Sequence, residues 1–182
     1  MKPALILIDI QQGFEEPYWG ERNNPDFEEN ISTLLTYWRE KHGPVIHVKH
    51  NSTTKGSPLR PELPGNAIYD FANPIEGEPL LEKNVNSAFI GTNLADYLAT
   101  IDNPPLVIVG MTSDQCVNTT VRMAGNLGYE SYMVSDATAT FNKTDHNGKA
   151  FSADQLHEVA LASIHEEFAK VISTKDAQKL CT

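Results

Sequence analysis

The feature that most constrains this chain is a rhythm in which short apolar runs, each the length of one strand, alternate with stretches of helical periodicity. ALILI (4–8) is continuously apolar, the pattern of a strand buried on both faces. Asp26 is placed to cap a helix through FEENISTLLTYWREKH, where Ile31, Leu34, Leu35 and Trp38 recur at core spacing and Gly43-Pro44 ends the run. VIHVKH (45–50), LLEKN (80–84), PLVIVGM (105–111), ESYMVSD (130–136) and KVIST (170–174) read as further strands. Between them the pattern predicts a helix near 92–101 and another in SDQCVNTTVRMAGNLG, with Thr112 or Ser113 as cap and Gly128 as stop. A third lies in SADQLHEVALASIHEEF, and the last residues have room for a short one. Strands that alternate with helices pair in parallel through right-handed crossovers, which leaves helices on both faces. The expectation is one three-layer α/β/α domain over 1–182 with a mostly parallel sheet and neither linker nor repeat.

Bulk properties exclude several partners. A formal charge of −10 disfavours a nucleic acid and an anionic membrane surface, since both are held by clustered Lys and Arg. The two cysteines, Cys116 and Cys181, form no CxxC pair and suggest neither a zinc site nor a disulfide framework. The N-terminal apolar run stops at Asp9, too early for a signal h-region, so a cytoplasmic location is expected. One segment breaks the rhythm: residues 51–80 hold five prolines, and an irregular stretch of that length in a compact domain is often functional.

Ligands of open α/β sheets bind beyond the carboxyl ends of the strands. Three ionisable residues fall there: Asp9 after the first strand, Lys83 at the end of the third, and Cys116 in the helix that follows the fourth. Each also has a plain structural reading. Asp9 could cap a turn, Lys83 could pair with Glu82 at an edge, and free cysteine often packs as a small hydrophobe. Together they make a thiol hydrolase possible. A thiol attacks only as thiolate, and a helix N-terminus and a nearby ammonium both lower its pKa. Asp9 could take the proton and return it to a leaving nitrogen, while amides near Thr112 and Cys116 hold an oxyanion.

Three stretches carry a resemblance to the isochorismatase-like cysteine hydrolases. LILIDIQQGF (5–14) resembles the family's opening D-x-Q-x-x-F strand through Asp9, Gln11 and Phe14. EKNVNSAF (82–89) is similar to the segment around the family lysine, and VGMTSDQCVNTTVRMAGNLGYESYMVSDATAT (109–140) to its G-x-x-T-x-x-C-V block. The resemblance implies a six-stranded, Rossmann-like parallel sheet and a catalytic triad of Asp9, Lys83 and Cys116. It also implies a cis peptide at Met111-Thr112 that aims the Thr112 amide at the oxyanion beside that of Cys116. Family members hydrolyse amide, ureide or carbamoyl C–N bonds of small molecules through a thioester and form homodimers or homotetramers; for this chain no cofactor is expected. Nicotinamidases add an Asp-x-His and a further His as metal ligands after the second strand. Here that region reads HVKHNSTTKGSPLRP, which lacks the aspartate, so His47 is expected to point inward, His50 to stand at the pocket rim, and no metal to bind. Isochorismatases proper cleave a vinyl ether and tend to lack the cysteine, which this chain retains.

Phe14, Trp19 and His50 are candidate substrate contacts, although Phe14 also fits core packing and PYWG (17–20) a surface turn. TFNKTDHNGKAFSADQLH (140–157) reads as a loop over the same face, from which His146 could reach the site or stay solvated. Specificity is expected from segments 15–25, 51–80 and 140–153. His157 and His165 read as structural and Cys181 as an incidental terminal thiol. Three alternatives stay open: a vinyl-ether hydrolase, a nicotinamidase, and a binding module that has kept the fold without the chemistry.

Overall fold

The structure, a computed structural model, describes residues 1–182. Its main sheet takes β1 (Ala4–Ile8), β2 (Val45–His50), β3 (Leu80–Lys83), β4 (Leu106–Met111), β5 (Ser131–Ala139) and, after a two-stranded hairpin of β6 (Lys143–Thr144) and β7 (Ala150–Phe151), β8 (Lys170–Ile172). The order is β3-β2-β1-β4-β5-β8 and every pairing is parallel. The continuous apolar run of β1 is explained by its place between two strands and two helical layers. Leu5 and Leu7 join Val107 and Val109 against α1 (Phe27–Glu40) and α5 (Thr174–Leu180). Ile6, Ile8 and Ile108 face α2 (Leu94–Thr100), α3 (Cys116–Asn126) and α4 (Ala153–Ile164). No helix is long and apolar enough to cross a membrane.

The chain builds outward from β1 through β2 to β3, then returns to the other side of β1 with β4. The loops after β1 and β4 therefore leave in opposite directions, and a crevice opens between them at the strands' carboxyl ends. This reversal places the site.

Several local expectations are corrected. Neither Thr112 nor Ser113 caps α3: the residue before it is Gln115, without a side-chain cap bond, and the helix begins at Cys116 itself. The two candidate caps are engaged elsewhere, Ser113 Oγ with His157 Nδ1 at 2.9 Å and Thr112 Oγ1 with Gln115 Oε1 at 3.3 Å. Asp26 stands at the start of α1 but makes no side-chain cap bond. By contrast Ser152 and Gln155 form a reciprocal capping box on α4. That helix stops at Ile164, because the chain must turn through His165 and Glu166 to feed β8. The stretch 140–157 is a hairpin followed by α4, not an open loop. Cys181 is fully buried with Trp38 in the layer formed by α1 and α5.

Gly110 is the tightest point of the sheet. It adopts φ +123° beside a register shift in β4, and a Cβ there would stand 2.0 Å from the carbonyl oxygen of Ile8. The atoms it would meet are all backbone of Ile8, on the neighbouring strand β1, and cannot swing aside. Gly110→Ala is therefore expected to lose more than about 3 kcal/mol of stability, read from the denaturant midpoint. A midpoint within error of wild type would show that β4 can relax there.

Candidate active site

The residue after β1 is Asp9, in a left-handed backbone conformation (φ 52°) and completely buried. Its Oδ2 accepts from Lys83 Nζ at 2.7 Å, with both side chains shut off from solvent. Lys83 reaches it from the last position of β3, in register with His50 at the end of β2. His50 Nδ1 lies 3.0 Å from the same ammonium and, since an ammonium only donates, must be the acceptor. Burial and the Lys83 charge hold His50 below the ordinary histidine range, which leaves it neutral at pH 7.

Cys116, half-buried at the first turn of α3, completes the group. Its Sγ, one Asp9 carboxylate oxygen and one His50 ring nitrogen all lie within 4.8 Å of one another. Asp9 Oδ1 is buried without a hydrogen-bond partner. The expected acidification of the thiol is overturned. Burial pushes Cys116 up to about 12, the Asp9 carboxylate adds to the rise, and the Lys83 ammonium opposes it only in part. The resting sulfur is a neutral thiol beside a carboxylate that has room for its proton.

The turn that leads into α3 supplies donors. The Met111–Thr112 peptide is cis, and the N–H groups of Thr112 and Cys116 make no hydrogen bond within the protein. Thr112, Gln115 and Cys116 all line the same cavity of about 150 Å³ as Asp9. Two props fix this turn. His157 from α4 holds Ser113, and Asp114 accepts from Thr140 Oγ1 at 2.6 Å and from Lys143 of the β6–β7 hairpin. His157 is thus structural, but its load is the turn of the site. His165 is structural as well: exposed at the end of α4, it accepts the Val171 N–H on Nδ1 at 3.1 Å.

Phe14, Trp19 and His50 all border the cavity. Phe14 also belongs to the core, with its ring 4.8 Å from that of Trp19 and 5.9 Å from that of Phe141. Trp19 is fixed by its Nε1, which donates to the Gly13 carbonyl at 2.8 Å. Segments 15–25 and 51–80 contribute lining as expected, through Tyr18, Ser52 and Ser57, whereas Asn86 and Gln115 line the cavity too and were missed. Asn86 and Gln115 stand inside the quoted motifs, where position alone could have flagged them. Segment 140–153 contributes no lining; Phe141 backs the aromatic wall from behind, and His146 is exposed on the hairpin beside Asn147.

Gln11 explains its own place in the first motif. Its amide receives the His50 N–H at 2.8 Å and donates to the carbonyls of His50 and Asn66 at 3.0 Å, locking the end of β2 to the irregular segment. His47 faces away and meets Glu78 at 2.8 Å, with Arg39 on the same carboxylate. The His-x-x-His pair is therefore divided between two sites. The remaining set with ligand-like spacing, Asp9, His50 and Cys116, has the Lys83 ammonium within hydrogen-bond distance of its first two members.

Residues 3–176 match the family model described as the isochorismatase domain. The uncharacterized isochorismatase family protein YrdC of Bacillus subtilis (strain 168) is 44% identical over 173 residues, covering 95% of this chain and 92% of its own. Nicotinamidase 3 of Arabidopsis thaliana is 29% identical over 190 residues, with 97% of this chain and 86% of its own covered. A solved isochorismatase-family structure from Chromobacterium violaceum ATCC 12472 superposes with a TM-score of 0.94 at 40% identity, over 99% of this chain and 93% of that one.

Proposed function

Because the chain belongs to the isochorismatase family of hydrolases, we propose that it cleaves an amide-type C–N bond of a small molecule through a thioester on Cys116. One observation carries the reading: a thiol stands beside a buried carboxylate with an unpartnered oxygen and two unpartnered backbone N–H groups. The likeness to a nicotinamidase supports the amide class.

The chemistry follows from the geometry. Asp9 takes the Cys116 proton on its free oxygen as sulfur attacks the carbonyl carbon. A preformed thiolate is not needed, and its absence at rest protects the sulfur. Lys83, bound to the other oxygen at 2.7 Å, holds the Asp9 carboxylate in position for that transfer. The carbonyl oxygen becomes an oxyanion held by the Thr112 and Cys116 amides, donors that no protein acceptor engages. Asp9 then passes its proton to the leaving nitrogen, and the C–N bond breaks. A water, deprotonated by Asp9, attacks the thioester; sulfur leaves and recovers its proton. The carboxylate thus acts alternately as base and acid, and the reaction requires no metal because Lys83 supplies the fixed positive charge.

Rapid quenching during turnover, followed by intact-protein mass spectrometry, should show a mass increase equal to the acyl group, located on Cys116 by peptide mapping. Hydrolysis under single-turnover sampling with no adduct at any time point would remove the covalent step.

A further inference from the structure

Within that reading, we propose that the pocket selects uncharged substrates and excludes carboxylate-bearing ones. The proposal rests on the charges around the cavity. The lining holds one acidic side chain, Asp9, and Lys83 is already bound to it at 2.7 Å. No arginine or unpaired lysine lines the space. Lys55, on the loop between Thr54 and Ser57, is exposed and outside the lining, and Arg60 is paired with Glu62.

What faces the cavity is a set of neutral donors opposite an aromatic wall. Ser52 Oγ accepts the Thr54 N–H at 3.2 Å and Ser57 Oγ the Leu59 N–H at 3.3 Å. Neither hydroxyl donates to a protein acceptor, so both protons remain for a ligand. Gln115 Oε1 is occupied by Thr112 Oγ1, which leaves its NH₂ free. These groups satisfy carbonyl or ring-nitrogen acceptors, while Phe14 and Trp19 cover a flat apolar face. A carboxylate placed here would lose its water without gaining a countercharge, and burial of an unpaired ion is strongly unfavourable. It would also meet negative charge on Asp9 or, once the proton has moved, on Cys116. The chain's charge of −10 repels the same ligands at a distance.

Two measurements test this, one independent of turnover. Maleamide and maleamate differ only by a carboxamide in place of a carboxylate. Ammonia release should favour maleamide by at least about tenfold in kcat/KM beyond the statistical factor for its two amides. Iodoacetamide and iodoacetate form the corresponding pair for direct alkylation of Cys116. Their rate ratio at Cys116, divided by the ratio at free cysteine, should favour the neutral reagent by about tenfold or more. A ratio near unity or reversed in either measurement overturns the proposal, and Lys55→Ala would then show whether that lysine supplies the charge. Where the protonated thiol reacts with neither reagent, the maleamide-to-maleamate ratio decides alone. Failure of the thioester chemistry itself shows separately, as amide turnover that persists in Cys116→Ala; the alkylation ratio in the wild-type protein is untouched by that result.

Discussion

Cys116→Ala is expected to lower amide turnover at least about a thousandfold while leaving the fold intact, since loss of a nucleophile leaves only binding and the oxyanion donors to act. The substitution is structurally mild: Cys116 is half-buried at the first position of α3, and alanine is the better helix former. The circular dichroism spectrum and the thermal midpoint should therefore stay close to wild type, so that lost activity reports chemistry. The same variant separates two reactions available to this family. A vinyl-ether hydrolase that used Asp9 alone as its acid would retain most turnover of isochorismate without the thiol. Retained turnover in Cys116→Ala would thus transfer the reaction from sulfur to the carboxylate. Slow alkylation of the wild-type protein would carry no such message. With the thiol pushed up to about 12 by burial and the Asp9 charge, little thiolate exists at neutral pH, and only a ligand that draws the proton onto Asp9 exposes the nucleophile.

Much of this was legible in the chain because the fold converts sequence order into position. A parallel sheet sends every strand's carboxyl end to one side, so Asp9, Lys83 and Cys116 fall on one rim once their strands are recognised. The apolar runs of β1 and β4 identified themselves, being buried on both faces. What stayed hidden depends on contacts between distant segments. Nothing local in Ser52 or Ser57 reveals a free hydroxyl proton; that follows from backbone bonds within the irregular segment. His157 lies 44 residues from the serine it holds, and Lys143 lies 29 from Asp114. The thiol's electrostatics were misread for a related reason. The lowering effects of a helix terminus and a lysine were visible in sequence, whereas burial and an adjacent carboxylate exist only after folding.

Lys83→Met is expected to cost about 3–5 kcal/mol of stability and to abolish turnover together, because it removes one member of an ion pair that water does not reach. The Asp9 carboxylate would keep no countercharge, with Oδ1 already lacking a partner and Oδ2 losing its only strong donor. His50 Nδ1 would lose the same ammonium. Chemical denaturation measures the first effect and ammonia release the second. The double variant Asp9→Asn, Lys83→Met tells whether the loss comes from isolated charge or from altered packing. Asparagine tolerates the left-handed backbone at φ 52° and carries no charge, so the double variant should recover most of the lost stability yet remain inactive. A double variant as unstable as Lys83→Met alone would mean that the packing of the buried lysine stem matters more than its charge. Recovery of stability without recovery of turnover would identify the buried pair as kept for its chemistry, since a neutral pair would hold the fold nearly as well.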